Sequence, residues 1–216
     1  WCEFFRKNNF LVGVSIDGPE EFHDEFRRNK AGRPSFKDVV RGIRLLNRYG
    51  VEWNAMATAN HFNAKDPLAF YRFFRDELHC KFLQISPVVE RIREHTDGRH
   101  LAQLFDENCP IAPFSIRPEE WGHFMCDIFD EWVRHDVGEV FVQLFDATLA
   151  GWMGVEPGTC VYAEECGHAA VMEHNGDVYS CDHFVFPQYK LGNIREHGLP
   201  QMLYGTKQSR FSRLKR

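Results

Sequence analysis

Residues 10–19 read FLVGVSIDGP, a short apolar run that is ended by an Asp-Gly-Pro turn signal. Comparable apolar runs follow at residues 51–59, 81–86 and 140–144. Strands that recur at intervals of roughly 30–40 residues, with amphipathic helices between them, are typical of parallel βα units. The sequence therefore predicts an α/β fold built on a parallel sheet.

Helix signals stand between the predicted strands. Ser35 is the expected N-cap of a helix that ends at Gly50, and Asp66 with Pro67 opens the next one. The clearest helix starts at Pro118, and its apolar side chains keep the spacing i, i+3, i+4 and i+7. Four βα units amount to about half of a (β/α)8 barrel, which takes ~250 residues. We therefore predict a partial parallel (β/α) barrel.

Composition and charge restrict the classes of protein that this chain can represent. Its 216 residues are 44% hydrophobic and 26% charged, as in an ordinary globular protein, and no apolar run has the length of a membrane helix. The formal net charge is −5 and the basic residues are scattered, so we expect neither a nucleic-acid partner nor a membrane. The chain opens at Trp1 and stops in a charged stretch at Arg216, and we expect it to be a piece of a longer protein.

The character of the sequence changes near residue 150, beyond which glycine and cysteine become frequent. Short alternating runs flank Asn175-Gly176, which is the strongest short signal for a β-hairpin with a type I′ turn. We therefore predict two domains. Residues 1–150 would form the barrel part, and residues 151–216 a small β-hairpin module that contains cysteines. A long polar segment at residues 91–113 is interpreted as a lid or an insertion in the barrel part.

Three of the seven cysteines lie close together in the second module, at Cys160, Cys166 and Cys181. An odd number of cysteines argues against a secreted disulfide framework. The hairpin brings Cys181 back towards the loop that holds the other two, so three thiolates could converge on a soft metal centre. Iron–sulfur clusters and structural zinc take four ligands, which leaves this set one short. Two alternatives stay open: three free thiols, or a zinc site that also uses a histidine. The nearby histidines are His168, His174 and His183.

An acidic residue, Asp182, stands directly after Cys181. A carboxylate placed beside a substrate hydroxyl or thiol can take its proton, so Asp182 could act as a general base. The alternative is a surface aspartate at the end of a hairpin strand, and the residues alone favour that alternative.

Polar side chains follow the first predicted strand at its carboxyl end, where parallel barrels carry their chemistry. Ser15 and Asp17 fall on one side by the strand period of two, and His23 and Arg27 follow above the same rim. A guanidinium suits a ligand carboxylate because its donors form a bidentate fork. The alternative for Asp17 is that it caps the turn.

Taken together, these motifs resemble those of a known family. They are Ser15-Ile-Asp-Gly-Pro19 with His23-Asp24 and Arg27, QISPVVER at residues 84–91, Cys166-x9-Gly176-x4-Cys181-Asp182, and PQYKLGN at residues 187–193. From about residue 10 to residue 194 the sequence resembles the anaerobic sulfatase-maturating enzymes. These are radical S-adenosylmethionine proteins with a C-terminal SPASM extension.

The resemblance implies an oxidoreductase that converts an active-site Cys or Ser of a sulfatase to Cα-formylglycine. Family members cleave S-adenosylmethionine to a 5′-deoxyadenosyl radical, which takes a β-hydrogen from that residue. The implied partners are an unfolded sulfatase polypeptide with a Cys/Ser-x-Pro-x-Arg segment and an electron donor such as flavodoxin or ferredoxin. The implied location is the cytoplasm.

The resemblance also implies cofactors and roles for particular residues. The cofactors are [4Fe–4S] clusters and S-adenosyl-L-methionine. Cys160, Cys166 and Cys181 would be three ligands of an auxiliary cluster, and Asp182 would deprotonate the substrate side chain. The residues that match positions near S-adenosylmethionine are Ser15 and Arg27.

Three motifs of the family do not occur in these 216 residues: the Cys-x3-Cys-x2-Cys loop of the radical-generating cluster, the Gly-Gly-Glu-Pro run, and the Cys-x2-Cys-x5-Cys segment of a second auxiliary cluster. We therefore expect these 216 residues to be inactive alone and to form the central portion of a longer enzyme. Two alternatives remain. One is a SPASM enzyme that modifies a different peptide, and the other is a truncated protein that binds or regulates without catalysis.

Overall fold

A computed structural model describes residues 1–93, 101–102, 106 and 108–215 of the chain. The chain divides into two compact units, Trp1–Phe145 and Asp146–Arg216. The elements of the first unit are α1 (Cys2–Lys7), β1 (Leu11–Ser15), α2 (Glu20–Phe26), α3 (Phe36–Tyr49), β2 (Glu52–Ala59), α4 (Pro67–Arg72), β3 (Phe82–Pro87), α5 (Pro118–His135) and β4 (Phe141–Val142). The division into a barrel domain at residues 1–150 and a small module at residues 151–216 remains a prediction.

The first unit is built on a four-stranded sheet in the order β1-β2-β3-β4, and every neighbouring pair is parallel. This confirms the predicted α/β fold with a parallel sheet. The fourth strand is shorter than expected, since only Phe141–Val142 pair and the helix α6 (Gln143–Trp152) begins at once. The prediction of a strand over residues 140–144 was therefore wrong in its second half. A short apolar run has no periodicity that separates a strand from the first turn of a helix.

One face of the sheet carries the hydrophobic core of the first unit. Along β2 the side chains of Trp53, Ala55, Ala57 and Ala59 are buried and alternate with more exposed residues. The three alanines are small, which lets the helices pack closely on this face. The helix side chains of the same core include Ile43, Phe70, Phe74, Phe124 and Ile128.

The helix boundaries follow the sequence signals, but the cap of α3 comes from a different residue than predicted. Asp66 accepts a hydrogen bond from the Ala69 N–H at the start of α4, as predicted. Gly50 ends α3 in the left-handed region at φ 63°. Ser35 precedes α3 but does not cap it. The carboxylate of Asp24 does so, because its Oδ1 accepts from the N–H groups of Ser35 (2.9 Å) and Phe36 (3.0 Å).

Charged side chains join the end of α4 to α5. The helix continues as a π-helical turn, Phe73–Glu77, which places Arg75 beside Asp136 and Glu131 at 3.0 Å each. The buried hydroxyl of Tyr71 donates to the same Asp136 carboxylate over 2.8 Å. Each acidic group thus has a charged or hydroxyl donor, as a partly buried carboxylate requires.

The second unit begins with most of α6 and contains a small antiparallel sheet. Its further elements are β5 (Val171–Met172), β6 (Asp177–Tyr179), β7 (Lys190–Asn193), α7 (Leu199–Leu203) and α8 (Thr206–Ser212). The predicted hairpin is present, but its turn is not of type I′. Gly176 has a positive φ of 86°, whereas Asn175 is not among the residues with positive φ. The Gly176 N–H bonds to the Glu173 carbonyl, so the loop is a type I turn followed by a left-handed glycine.

The core of the second unit is small. Its buried apolar cluster consists of Val178, Leu191 and Met202. Phe211 adds ring contacts with Phe184 and Tyr189. These side chains lie where the sheet meets α7 and α8.

Two predictions concern segments that are incompletely described. The lid or insertion predicted at residues 91–113 falls in part outside the described residues. Its described portions include isolated antiparallel bridges from Arg91 to Ile111 and from Ile92 to Leu101. In the part of the chain that the structure covers, no helix combines the length and the apolar character needed to cross a bilayer.

Candidate functional site

The carboxyl ends of β1, β2 and β3 form a polar edge on the open face of the sheet. The strand register places Met56 between Ser15 and Gln84, and the next row pairs Thr58 with Ser86. These side chains alternate with the buried residues that face the helices, so they share the uncovered face. A parallel barrel binds its ligands at this end of its strands. Ser15 was predicted here, and the others could have been found from the same period of two.

Arg27 and Asp17 form an ion pair at this edge. The Nε of Arg27 donates to one Asp17 carboxylate oxygen, and Nη2 donates to the other over 3.0 Å. Asp17 is only 3% exposed, and its carboxylate also accepts a hydrogen bond from the Thr58 N–H at 2.8 Å. Asp17 therefore ties the end of β1 to β2 and holds one edge of the guanidinium. The Arg27 side chain remains 31% exposed.

A buried histidine lies beneath this ion pair. His23 Nδ1 is 3.3 Å from the backbone N of Asp17, and Nε2 is 3.0 Å from the hydroxyl of Ser35. The Ser35 hydroxyl donates to the carbonyl of Arg27 over 2.8 Å. Burial lowers the pKa of His23 below its ordinary value, although Asp17 acts in the opposite direction. These contacts close a circuit, and we call Asp17, His23, Ser35 and Arg27 the hydrogen-bond ring.

Two asparagines after β2 fasten the neighbouring strand ends. The buried side chain of Asn63 donates to the carbonyls of Thr58 (2.8 Å) and Asp17 (3.4 Å), and its oxygen accepts from the Asn60 N–H. The Asn60 side chain in turn accepts from the N–H groups of Phe62 and Asn63. These residues were not predicted, and an Asn-x-x-Asn pair directly after a strand was their only signal in the sequence.

A histidine and a glutamate meet next to this loop. The ring nitrogen Nδ1 of His61 lies 2.7 Å from Oε1 of Glu120, and both side chains are partly exposed. The second oxygen of Glu120 accepts from the Arg117 N–H at the start of α5. That backbone donor, followed by His61, holds the pKa of Glu120 below its usual range. The sequence did not reveal this pair, because its members are 59 residues apart.

The cysteine site of the second unit centres on the end of the hairpin. The thiol of Cys181 donates to the Asp182 carboxylate over 3.3 Å and lies 3.6 Å from His183 Nδ1. Asp182 and His183 are 3.0 Å apart, and both are well exposed. Burial raises the pKa of the Cys181 thiol, and the neighbouring Cys160 acts in the same direction. The hydrogen bond from Cys181 lowers the pKa of Asp182.

The other two predicted ligands occupy separate segments of the same unit. Cys166 is anchored to α8, since its N–H donates to the Ser212 carbonyl and its own carbonyl accepts from the Ser212 hydroxyl. Cys160 is exposed at a turn in which its carbonyl accepts from the Ala163 N–H. Among the described residues, the three thiols do not converge as tightly as Cys181, Asp182 and His183, whose donor atoms lie within 4.8 Å of one another.

The donors of this site fit an iron–sulfur group. Three thiols are soft ligands, and soft ligands select iron–sulfur clusters, zinc or copper(I). Such a cluster is larger than a single ion, and Cys160, Cys166 and Cys181 would hold it without meeting at one point. A single ion would suit the tight group at residues 181–183 instead.

Comparisons with known proteins bear on both units. Residues 160–216 match the SPASM family model, described as an iron–sulfur cluster-binding domain. The whole chain is 61% identical over 216 residues to a serine-type anaerobic sulfatase-maturating enzyme of Bacteroides thetaiotaomicron, of which it covers 52%. It is 32% identical over 198 residues to the cysteine-type enzyme of Clostridium novyi, with 91% of this chain and 49% of that protein covered.

Solved structures show the same likeness. The chain matches native anSMEcpe with bound AdoMet and the Cp18Cys peptide at a TM-score of 0.83 and 28% identity, over 100% of this chain and 56% of that one. It matches native anSMEcpe with bound AdoMet at a TM-score of 0.80 and 27% identity, over 100% and 55%. The chain thus spans about half the length of the relatives that it matches. It is a homologue of the anaerobic sulfatase-maturating enzymes, with the α/β fold of their radical S-adenosylmethionine structures and a SPASM iron–sulfur cluster-binding domain.

Proposed function

We propose that the protein to which this chain belongs converts an active-site serine of a sulfatase to Cα-formylglycine by radical chemistry. The observation that carries the proposal is the 61% identity, maintained over all 216 residues, to a relative that bears the serine-type name. Serine is proposed on that relative alone, because the relatives at 27–32% identity include both cysteine-type and serine-type enzymes.

Asp182 is the proposed proton acceptor. When bound, S-adenosylmethionine and its reducing cluster supply the radical that takes a hydrogen atom from the substrate carbon. The substrate must also lose one proton and one electron: the exposed Asp182 carboxylate is available for the proton, and the auxiliary cluster would accept the electron. If Cys181 ligated iron as a thiolate, it would have no proton to donate to Asp182, and the carboxylate would be free of that contact.

The ligand-binding roles fall to both units. Cys160, Cys166 and Cys181 are the proposed protein ligands of an auxiliary [4Fe–4S] cluster, and their thiol chemistry supports this role. Ser15 and Arg27 are proposed to bind S-adenosyl-L-methionine, because Ser15 lies on the open face of the sheet and Arg27 presents a partly exposed guanidinium. The proposed partners are an unfolded sulfatase segment and a low-potential electron donor such as flavodoxin or ferredoxin.

The test uses the full-length protein, reconstituted anaerobically with iron and sulfide. It is given two peptides that differ only in Ser or Cys within a Ser/Cys-x-Pro-x-Arg segment, and aldehyde formation is followed by mass spectrometry. We expect the serine peptide to be oxidised faster. Asp182→Asn should retain its iron and lose on the order of a hundredfold in rate, whereas the exposed control Asp127→Asn should match the wild type. Oxidation of neither peptide would refute the proposed reaction.

A second candidate function has one observation in its favour. The donor atoms of Cys181, Asp182 and His183 lie within 4.8 Å of one another and could supply three ligands to a single metal ion. A binding or regulatory protein with one zinc ion would contain zinc without iron or sulfide. Metal analysis of the full-length protein, purified without oxygen, separates this candidate from the iron–sulfur enzyme.

A further inference from the structure

We infer that His23 and Ser35 are positioning residues, which hold the Arg27 guanidinium in place for the carboxylate of S-adenosylmethionine. The inference rests on the proposed function, in which Arg27 binds that cofactor. Neither residue needs to touch the ligand. Both act through the hydrogen-bond ring, whose other two members are Asp17 and Arg27.

The ring joins three elements that are separate in sequence. Asp17 follows β1, Arg27 ends α2, and Ser35 precedes α3. The Asp17 N–H donates to His23 Nδ1, the second ring nitrogen meets the Ser35 hydroxyl, and that hydroxyl donates to the Arg27 carbonyl. The Arg27 guanidinium donates back to the Asp17 carboxylate and closes the circuit.

The circuit allows only one arrangement of hydrogens. Since Nδ1 of His23 accepts from a backbone N–H, the imidazole hydrogen must be on Nε2. Nε2 then donates to the Ser35 hydroxyl oxygen, which leaves the hydroxyl hydrogen for the Arg27 carbonyl. His23 is fully buried, so no water replaces a bond that is lost. Removing one member therefore weakens the circuit as a whole.

The result is an arginine that is held at both ends. Ser35 fixes its backbone carbonyl, and Asp17 fixes Nε and Nη2 of its side chain. Among the described residues no acceptor meets Nη1, so the edge formed by Nη1 and the second hydrogen of Nη2 is available as a fork for a carboxylate. A free arginine would lose rotamer freedom on binding, and pre-ordering it removes that cost from the affinity.

The Ser35 hydroxyl is not needed to begin α3. Asp24 already caps that helix through two backbone N–H groups. The side chain of a serine before a helix commonly accepts a hydrogen bond from a backbone N–H of the first turn. Here the Ser35 hydroxyl instead bridges His23 and the Arg27 carbonyl. Loss of the hydroxyl should therefore affect Arg27 more than it affects the helix.

The experiment compares two probes on the full-length, cluster-loaded protein: S-adenosylmethionine and decarboxylated S-adenosylmethionine. We expect Ser35→Ala to weaken binding of S-adenosylmethionine by about fivefold, the effect of one hydrogen bond. Binding of the decarboxylated probe should not change, because it lacks the group that Arg27 would contact. Ser35→Thr, which keeps the hydroxyl, should restore the affinity. The control Ser115→Ala removes a hydroxyl that bonds to the Glu90 backbone and should change neither affinity.

Arg27→Gln separates failure of this inference from failure of the proposed function. If Arg27→Gln weakens both probes equally or neither, Arg27 does not bind the carboxylate and the proposed role of Arg27 is wrong. If Arg27→Gln weakens binding of S-adenosylmethionine more than binding of the decarboxylated probe, Arg27 binds the carboxylate. If Ser35→Ala then shows no such difference, the positioning inference is wrong. Should Ser35→Ala fail to fold, His23→Gln is judged by the same selective loss.

Discussion

Single residues in this structure take roles that their sequence neighbourhood does not reveal. Ser35 stands in an ordinary N-cap position, yet the cap comes from Asp24 on the preceding helix. The local rule considers only residues next to the helix start, and Asp24 is 12 residues from Phe36. The rule does hold at Asp66, where the chain enters α4 without another acceptor at hand.

Asp24→Ala is expected to lower the free energy of unfolding of the first unit by about 1 kcal/mol, because two helix N–H groups lose their acceptor. Chemical denaturation, together with hydrogen exchange at the start of α3, measures this loss. Asp38→Ala is the matched control, since Asp38 is an exposed carboxylate in the first turn of the same helix. An equal loss in both variants would mean that Asp24 acts by charge and not by capping.

The residues of the candidate site were predictable to different degrees. Asp17 and Arg27 were accessible from the sequence, because strand ends in parallel sheets collect functional side chains. The pairing of the two, and the burial of His23 beneath them, depend on how α2 folds back onto β1. His61 and Glu120 lie still further apart in sequence, and no local pattern connects residues that only tertiary packing brings together.

At the scale of elements, the π-helical turn after α4 connects this helix to α5 through ion pairs. It brings Arg72 and Arg75 to the same face, where both donate to Glu131. Hydrogen bonds from Arg72, and then from Arg75, lower the pKa of Glu131 from 4.5 to about 2. The folded state therefore prefers the ionised carboxylate more strongly than the unfolded state does.

Stability of the first unit should depend on pH through Glu131. A carboxylate whose pKa is lowered by folding stabilises the protein above its unfolded value of 4.5, and this contribution is lost as the pH falls towards about 2. Glu131→Gln should therefore cost about 1 kcal/mol at neutral pH and progressively less in acid. Unfolding titrations across this range check the expectation, with Asp130→Asn as the control on the same helix. A difference from the wild type that does not change with pH would contradict it.

Long periodic elements were predicted well, whereas most of the short helices were not. The first three strands, α3 and α5 were recognised because repeated apolar positions outweigh any single residue. The helices α1, α2, α7 and α8 are five to seven residues long, too short for a periodic signal to develop. The hairpin was recognised from Asn175-Gly176, but its turn type depends on the φ of Asn175, which the dipeptide alone does not determine.

At the scale of the whole molecule, the two units differ in how much they can stabilise themselves. The first has an extensive buried core, whereas the buried cluster of the second is limited to Val178, Leu191 and Met202. A module of this size rarely folds stably on so little apolar burial, and small domains commonly add a metal centre or a disulfide. The seven cysteines in the described structure are free thiols, so a metal centre such as an iron–sulfur group is a candidate source of further stability.

Removing iron should therefore loosen the second unit selectively. In the full-length protein, chelation or Cys181→Ala is expected to speed amide exchange in β6 and β7 by at least about tenfold, which corresponds to about 1.4 kcal/mol. Exchange in β1 to β3 should change little, because the core of the first unit contains no proposed ligand. Hydrogen exchange read by mass spectrometry resolves the two units. Cys126→Ala, which removes an exposed thiol on α5, serves as the control. Equal loosening of both units would argue against a local role for the metal.

The hydrogen-bond ring also bears on how descendants of this protein can diverge. Replacing His23 or Ser35 leaves partners unpaired on either side, and replacing Asp17 or Arg27 breaks the ion pair that closes the circuit. A lineage that exchanges one of them passes through a less fit intermediate before a second exchange can compensate. We expect Asp17, His23, Arg27 and Ser35 to be inherited together or replaced together, whereas an exposed neighbour such as Glu25 drifts independently.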